Sequence, residues 1–135
     1  MEAGGGGLIM GENMSKIERF EDILAWQKAR VLTRDVYRVT GTGEFAKDYG
    51  LRNQLRRAAI SVMLSITEGF ARRTDREFAR FLFIAHGSIA EVQSALYIAL
   101  DQHYLSQQSF EGVYASCTEI SKLISGLIKY LNTKQ

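Results

Sequence analysis

Between Phe78 and Ala99 an apolar residue recurs every three or four positions without a break: Phe78, Leu82, Ala85, Ile89, Val92, Leu96 and Ala99. A 4-3-4-3-4-3 spacing lines these side chains along one face of an α-helix, whereas a strand would scatter them over both faces. Three other segments keep the same rhythm. Ala25, Ala29, Leu32, Val36 and Val39 mark a first helix over about Phe20 to Thr40. Leu51, Leu55, Ala58 and Val62, with Ala59 and Ile66 beside them, mark a second. Phe110, Val113, Cys117, Ile120, Ile124, Leu127 and Leu131 mark a fourth. Proline is absent from all 135 residues, so nothing interrupts long helices. No window alternates in the manner of a strand bounded by turns. The pattern predicts an all-α chain folded as an antiparallel up-down-up-down four-helix bundle.

Local signals place the ends. Gly41-Thr42-Gly43 stops the first helix, Asp48 is an N-cap for the second, and Gly69 ends it. Thr74 or Asp75 caps the third, with Glu77 in its first turn where a carboxylate suits the helix dipole. A turn over His103 to Gln108 leads to a fourth helix opening near Ser109. Beside the main stripe of the third helix runs a second one of Phe81, Ile84, Ser88, Ala95 and Ile98, which predicts a broad buried face. Residues 1–16 differ from the rest. Their run Gly4 to Gly7 has no side chains to bury, and Met14 offers an alternative start. They read as a flexible extension or tag remnant ahead of a bundle domain over residues 17–135.

The chain is long enough for one core of its own. Its single cysteine, Cys117, excludes an internal disulfide and fits a reducing, cytoplasmic compartment. No stretch approaches the roughly 18 apolar residues of a membrane span, so no membrane partner is expected.

Charge is mild over the whole chain, at +2, and uneven along it. From Tyr49 to Arg80 stand Arg52, Arg56, Arg57, Arg72, Arg73, Arg76 and Arg80 against only Glu68, Asp75 and Glu77, a local net of +4. Every positive residue there is arginine. The planar, forked guanidinium suits phosphates and carboxylates, and it is also favoured at protein interfaces. Phe70 and Phe78 add possible stacking partners for exposed bases. Nucleic acid and a protein interface are thus both open readings, beside an ordinary solvated face.

No catalytic signature is present. His86, His103 and Cys117 are too scattered for a metal site, and His86 followed by Glu91 lacks the Glu-x-x-His spacing of a di-iron bundle. No glycine-rich phosphate loop precedes a helix. No metal and no cofactor are expected. Cys117 lies on the apolar stripe and reads as a small buried hydrophobe. Glu91 falls on the second stripe, where burial would demand a partner among the second helix's arginines. With Glu68, it reads as a structural ion pair or a subunit contact.

Several segments resemble one family. Phe20-Glu21-Asp22-Ile23-Leu24-Ala25-Trp26-Gln27-Lys28-Ala29 is similar to the F-x-x-L-x-x-W-Q-x-A opening of a group of bacterial four-helix-bundle proteins, among them proteins encoded by intervening sequences in 23S rRNA genes. Tyr49-Gly50-Leu51, Gln54-Leu55-Arg56-Arg57-Ala58 and Glu68-Gly69 resemble its second helix. Phe78, Arg80-Phe81-Leu82, Ile84-Ala85, Gly87-Ser88 and Glu91 resemble its third. The resemblance runs from about Phe20 to Leu131. It departs at Phe45-Ala46, where the family has Phe-Pro, and at Ser61 to Gly69, where its proline and asparagine are missing. A straighter second helix follows from that loss, with Ser65 where the asparagine would stand.

The resemblance implies a bundle, a ring-shaped homopentamer and an association with RNA. A distant relative is the accessory protein of diversity-generating retroelements, which works with a reverse transcriptase and nucleic acid. The expected function is a non-enzymatic homo-oligomer presenting its arginines to structured RNA or DNA. The alternative is a protein-interaction adaptor, for instance a partner of a reverse transcriptase, whose arginines pair with carboxylates across subunits or on that partner.

Overall fold

The computed structural model describes residues 17–134. The expected extension over residues 1–16 therefore lies outside the described residues. Four α-helices follow in order: α1 (Leu24–Thr40), α2 (Tyr49–Ala71), α3 (Asp75–Asp101) and α4 (Gln107–Thr133). Each packs against its two neighbours around the bundle, α1 against α2 and α4, and α3 against α2 and α4. The up-down-up-down architecture stands as the stripes predict.

The stripes are the core. All five stripe residues of α1 are buried, as are all seven of α3 and all seven of α4. Leu32, Leu55, Leu82, Leu96 and Ile124 are at 1% exposure or less. Truncating any of these to alanine costs about 2–5 kcal/mol. Side chains cap three of the helices. The Asp48 carboxylate accepts from the Leu51 amide, the Thr74 hydroxyl from the Glu77 amide and the Ser106 hydroxyl from the Ser109 amide.

Some boundaries shift. Phe20–Asp22 forms a 3-10 turn, so α1 starts at Leu24. The fourth helix opens at Gln107, two residues before Ser109, because Ser106 is its cap. Gly69 does not end α2, which continues to Ala71. A Cβ at Gly69 would stand 2.7 Å from the Phe81 Cβ and 3.2 Å from the Phe78 Cδ1. Glycine is there so that α2 and α3 can meet closely. The chain reverses instead through Arg73, a non-glycine residue at φ 72°.

The second stripe of α3 divides. Phe81, Ser88 and Ala95 are buried, while Ile84 and Ile98 are 43% and 50% exposed. The helix is thus apolar on part of its outer side as well. By length and hydropathy alone α3 could cross a membrane, with a mean hydropathy of 1.3 over 18 residues, contrary to the sequence expectation. In the bundle its eleven buried residues pack against α2 and α4, as the central helix of a core does.

Candidate nucleic-acid interface

The arginine cluster, continuous in sequence, splits between the two ends of α2. Sixteen residues separate Arg56 from Arg72, or about 24 Å of helix. The two groups play different parts.

At the start of α2, two arginines turn inward. Arg52 donates its Nη1 to the Ala46 carbonyl at 2.9 Å and stacks on the Tyr49 ring. Arg56 donates its Nε to the buried Thr40 hydroxyl at 2.8 Å and lies 4.3 Å from the Tyr37 ring centre. These contacts fasten the α1–α2 connection. Arg57 remains exposed, with only a long contact to the Gln54 amide oxygen.

At the α2–α3 corner the guanidiniums face solvent. Arg72 pairs with Glu68 at 3.0 Å and reaches Glu77 at 3.6 Å. Arg80 pairs with Glu77 at 3.2 Å, and both arginines lie over the Phe81 ring, at 4.9 and 4.5 Å. Arg80's hydrogen bond, with the positive charges of Arg80, Arg72 and Arg76, holds the Glu77 carboxyl below its ordinary range. Arg73 and Arg76 are exposed and make no ion pair among the described residues. Lys134, at the end of α4, pairs with Asp75 at 3.4 Å. Exposed pairs of this kind contribute little to stability and exchange readily for other anions.

The predicted ion pair is half present. Glu68 does pair, with Arg72 one turn along its own helix. Glu91 is exposed and makes no ion pair among the described residues. Ser61 and Ser88 meet nearby at 2.8 Å and join α2 to α3.

Phe78, proposed as a base-stacking partner, is buried and packs edge-on to the half-buried Phe70. Among the exposed aromatics, Phe83, 59% exposed, is the one that lines a cleft with Arg76 and Arg80. Sequence reasoning passed over it because it falls on neither stripe of α3. That absence was the signal, since a large apolar side chain on the solvent side of an amphipathic helix has no core to fill.

Elsewhere the chemistry is sparse. The His86 Nε2 and the Ser121 hydroxyl are 2.9 Å apart across α3 and α4. Burial pushes the Cys117 thiol up to about 12, so it stays protonated and unreactive. Among the described residues no three His, Cys, Asp or Glu side chains converge as a metal site would require.

Residues 21–126 match the family model described as 23S rRNA-intervening sequence protein. A similar solved structure is a protein of unknown function from the S23 ribosomal protein family of Bacteroides thetaiotaomicron VPI-5482. It is 21% identical, with a TM-score of 0.72 over 78% of this chain and 99% of that one. The comparison with curated proteins returns no match. Neither description is that of an enzyme.

Proposed function

The chain belongs to the 23S rRNA-intervening sequence protein family, and on that premise we propose that it is a non-enzymatic, cytoplasmic homo-oligomer that binds structured RNA or DNA. The assembly is a pentamer, and the α2–α3 corner is its phosphate-binding surface. One observation carries the reading: Arg72, Arg73, Arg76 and Arg80 all face solvent at a single turn of a chain whose net charge is only +2. Five copies present that corner five times, so modest charge per chain becomes substantial through multivalency. Arg52 and Arg56 serve the fold, and Arg57 serves the subunit contact.

Self-association has its own support. Leu64 on α2 is 61% exposed, and Ile84 and Ile98 on α3 are 43% and 50% exposed, large apolar side chains that the bundle itself does not bury. Arg57 and Glu91, each exposed and about one turn from the Ser61–Ser88 contact, take their opposite charges from a second copy.

Light scattering after size exclusion, with and without a pool of structured RNA at low salt, tests both parts. The expected result is a pentamer that shifts to a larger complex with RNA and loses the shift as salt rises. Arg72→Glu combined with Arg76→Glu removes the shift and leaves the oligomer intact. A wild-type oligomer indifferent to every RNA and DNA tried overturns the nucleic-acid reading, and the corner then belongs to a protein partner.

A further inference from the structure

Two clefts on the outer side of α3 and α4 run into each other. One, of about 530 Å³, is lined by Arg76, Glu77, Arg80, Phe83 and Asn132. The other, of about 370 Å³, is lined by Phe83, His86, Lys129, Asn132 and their neighbours. Phe83 and Asn132 belong to both. The result is one groove between two antiparallel helices, with Arg76 and Arg80 along its α3 side, Lys129 across from them on α4, His86 further along, and an exposed phenyl ring between the arginines and the histidine.

The helical spacing makes the alignment. Arg76, Arg80 and Phe83 are four and three apart on α3, and Ser125, Lys129 and Asn132 repeat that spacing on α4. Lys129, like Arg76, makes no ion pair among the described residues, while Glu77 on the wall is held by Arg80. The three cations therefore outweigh the one carboxylate.

We propose that this groove binds a short run of unpaired nucleotides, with a base stacked on Phe83 and neighbouring phosphates held between Arg76 and Lys129 on the two walls. The inference rests on the nucleic-acid reading above and names the part of the ligand that the groove takes. Cations beside an exposed aromatic ring are what single strands require, because every base has a face to stack and a phosphate next to it. Asn132 can bond base edges in both directions. Length argues against duplex: Arg76 to His86 spans about 15 Å of helix, less than half of a duplex turn of about 34 Å. A duplex, moreover, buries its base faces in its own stack.

Fluorescence anisotropy of the full chain at low salt decides it. The probes are a ten-nucleotide oligouridine, the matching oligothymidine and an RNA hairpin with a closed stem. Phe83→Ala should weaken oligouridine about tenfold or more, spare the hairpin stem, and leave the oligomeric mass unchanged. Phe83→Trp should retain affinity, with its indole emission quenched by the strand. Equal losses with oligothymidine assign stacking and phosphate contacts, and a loss confined to oligouridine adds the 2′-hydroxyl. Oligouridine affinity that survives both Phe83→Ala and Lys129→Glu overturns the groove while leaving the corner intact. A change of mass in Phe83→Ala also overturns it, since the ring would then be a subunit contact. Failure of wild type to bind any probe defeats the broader reading itself.

Discussion

Arg56 donates its Nε to the hydroxyl of Thr40, sixteen residues earlier, at 2.8 Å. Thr40 is fully buried and in turn donates to the Val36 carbonyl at 2.7 Å. The guanidinium therefore closes the last turn of α1 while covering Tyr37. Arg56→Ala should lower stability by about 1–2 kcal/mol, the lower part of the range for charge-assisted bonds because Arg56 is only half-buried. Arg34→Ala, at an exposed position of α1, should stay within about 0.5 kcal/mol. Urea unfolding of both variants checks this, and equal effects would mean that Arg56 is no clasp.

Gly69→Ala is expected to destabilise, although alanine is the better helix former by about 1 kcal/mol. The added methyl meets the Phe81 Cβ at 2.7 Å, with Phe78 close behind. Forcing α2 from α3 costs about 1–3 kcal/mol. A thermal melt showing stabilisation would contradict the close approach.

His103 ends α3 at φ 62°, in the left-handed region. Its amide still bonds the Leu100 carbonyl, and the Tyr104 amide reaches Ala99, as in a glycine-terminated helix. His103→Gly should raise stability by about 0.5–1 kcal/mol, the relief of strain being partly offset by a freer unfolded chain. Chemical denaturation measures the sign directly.

Alkali should loosen the bundle. Burial raises the Cys117 thiol from 9.0 to about 12. The bond that the Tyr104 hydroxyl donates to Asp48, with burial behind it, raises the phenol as well. Both groups hold their protons more tightly folded than unfolded. Their contribution is complete below about pH 9 and is lost as pH rises through the folded values. Melting temperatures between pH 7 and 11 should fall above 9, less steeply in Cys117→Ala. Iodoacetamide at pH 8 should label Cys117 only after denaturation.

The fold was legible because burial imposes a period. Every main-stripe residue of α1, α3 and α4 is buried, and Asp48 and Thr74 cap where polar side chains before a stripe should. Gly69 was misread because a glycine that ends a helix and one that admits a neighbouring helix look alike in one dimension. Glu91, on the same stripe as buried Ser88 and Ala95, proves exposed, because a heptad gives a residue's angle on its helix but not where the neighbouring helix stops. The arginines were conspicuous as a group. Only packing separates Arg52 and Arg56, consumed by the α1–α2 connection, from those at the corner.

Glu77 serves two arginines at once, Arg72 at 3.6 Å and Arg80 at 3.2 Å. An incoming oxyanion at Arg80 thus finds the seat taken, and what it gains is the difference between two anionic partners. A solitary phosphate has little reason to stay. A ligand that delivers several at neighbouring points gains a little at each, so on the proposed nucleic-acid reading the Glu77 carboxylate sets a threshold on ligand length.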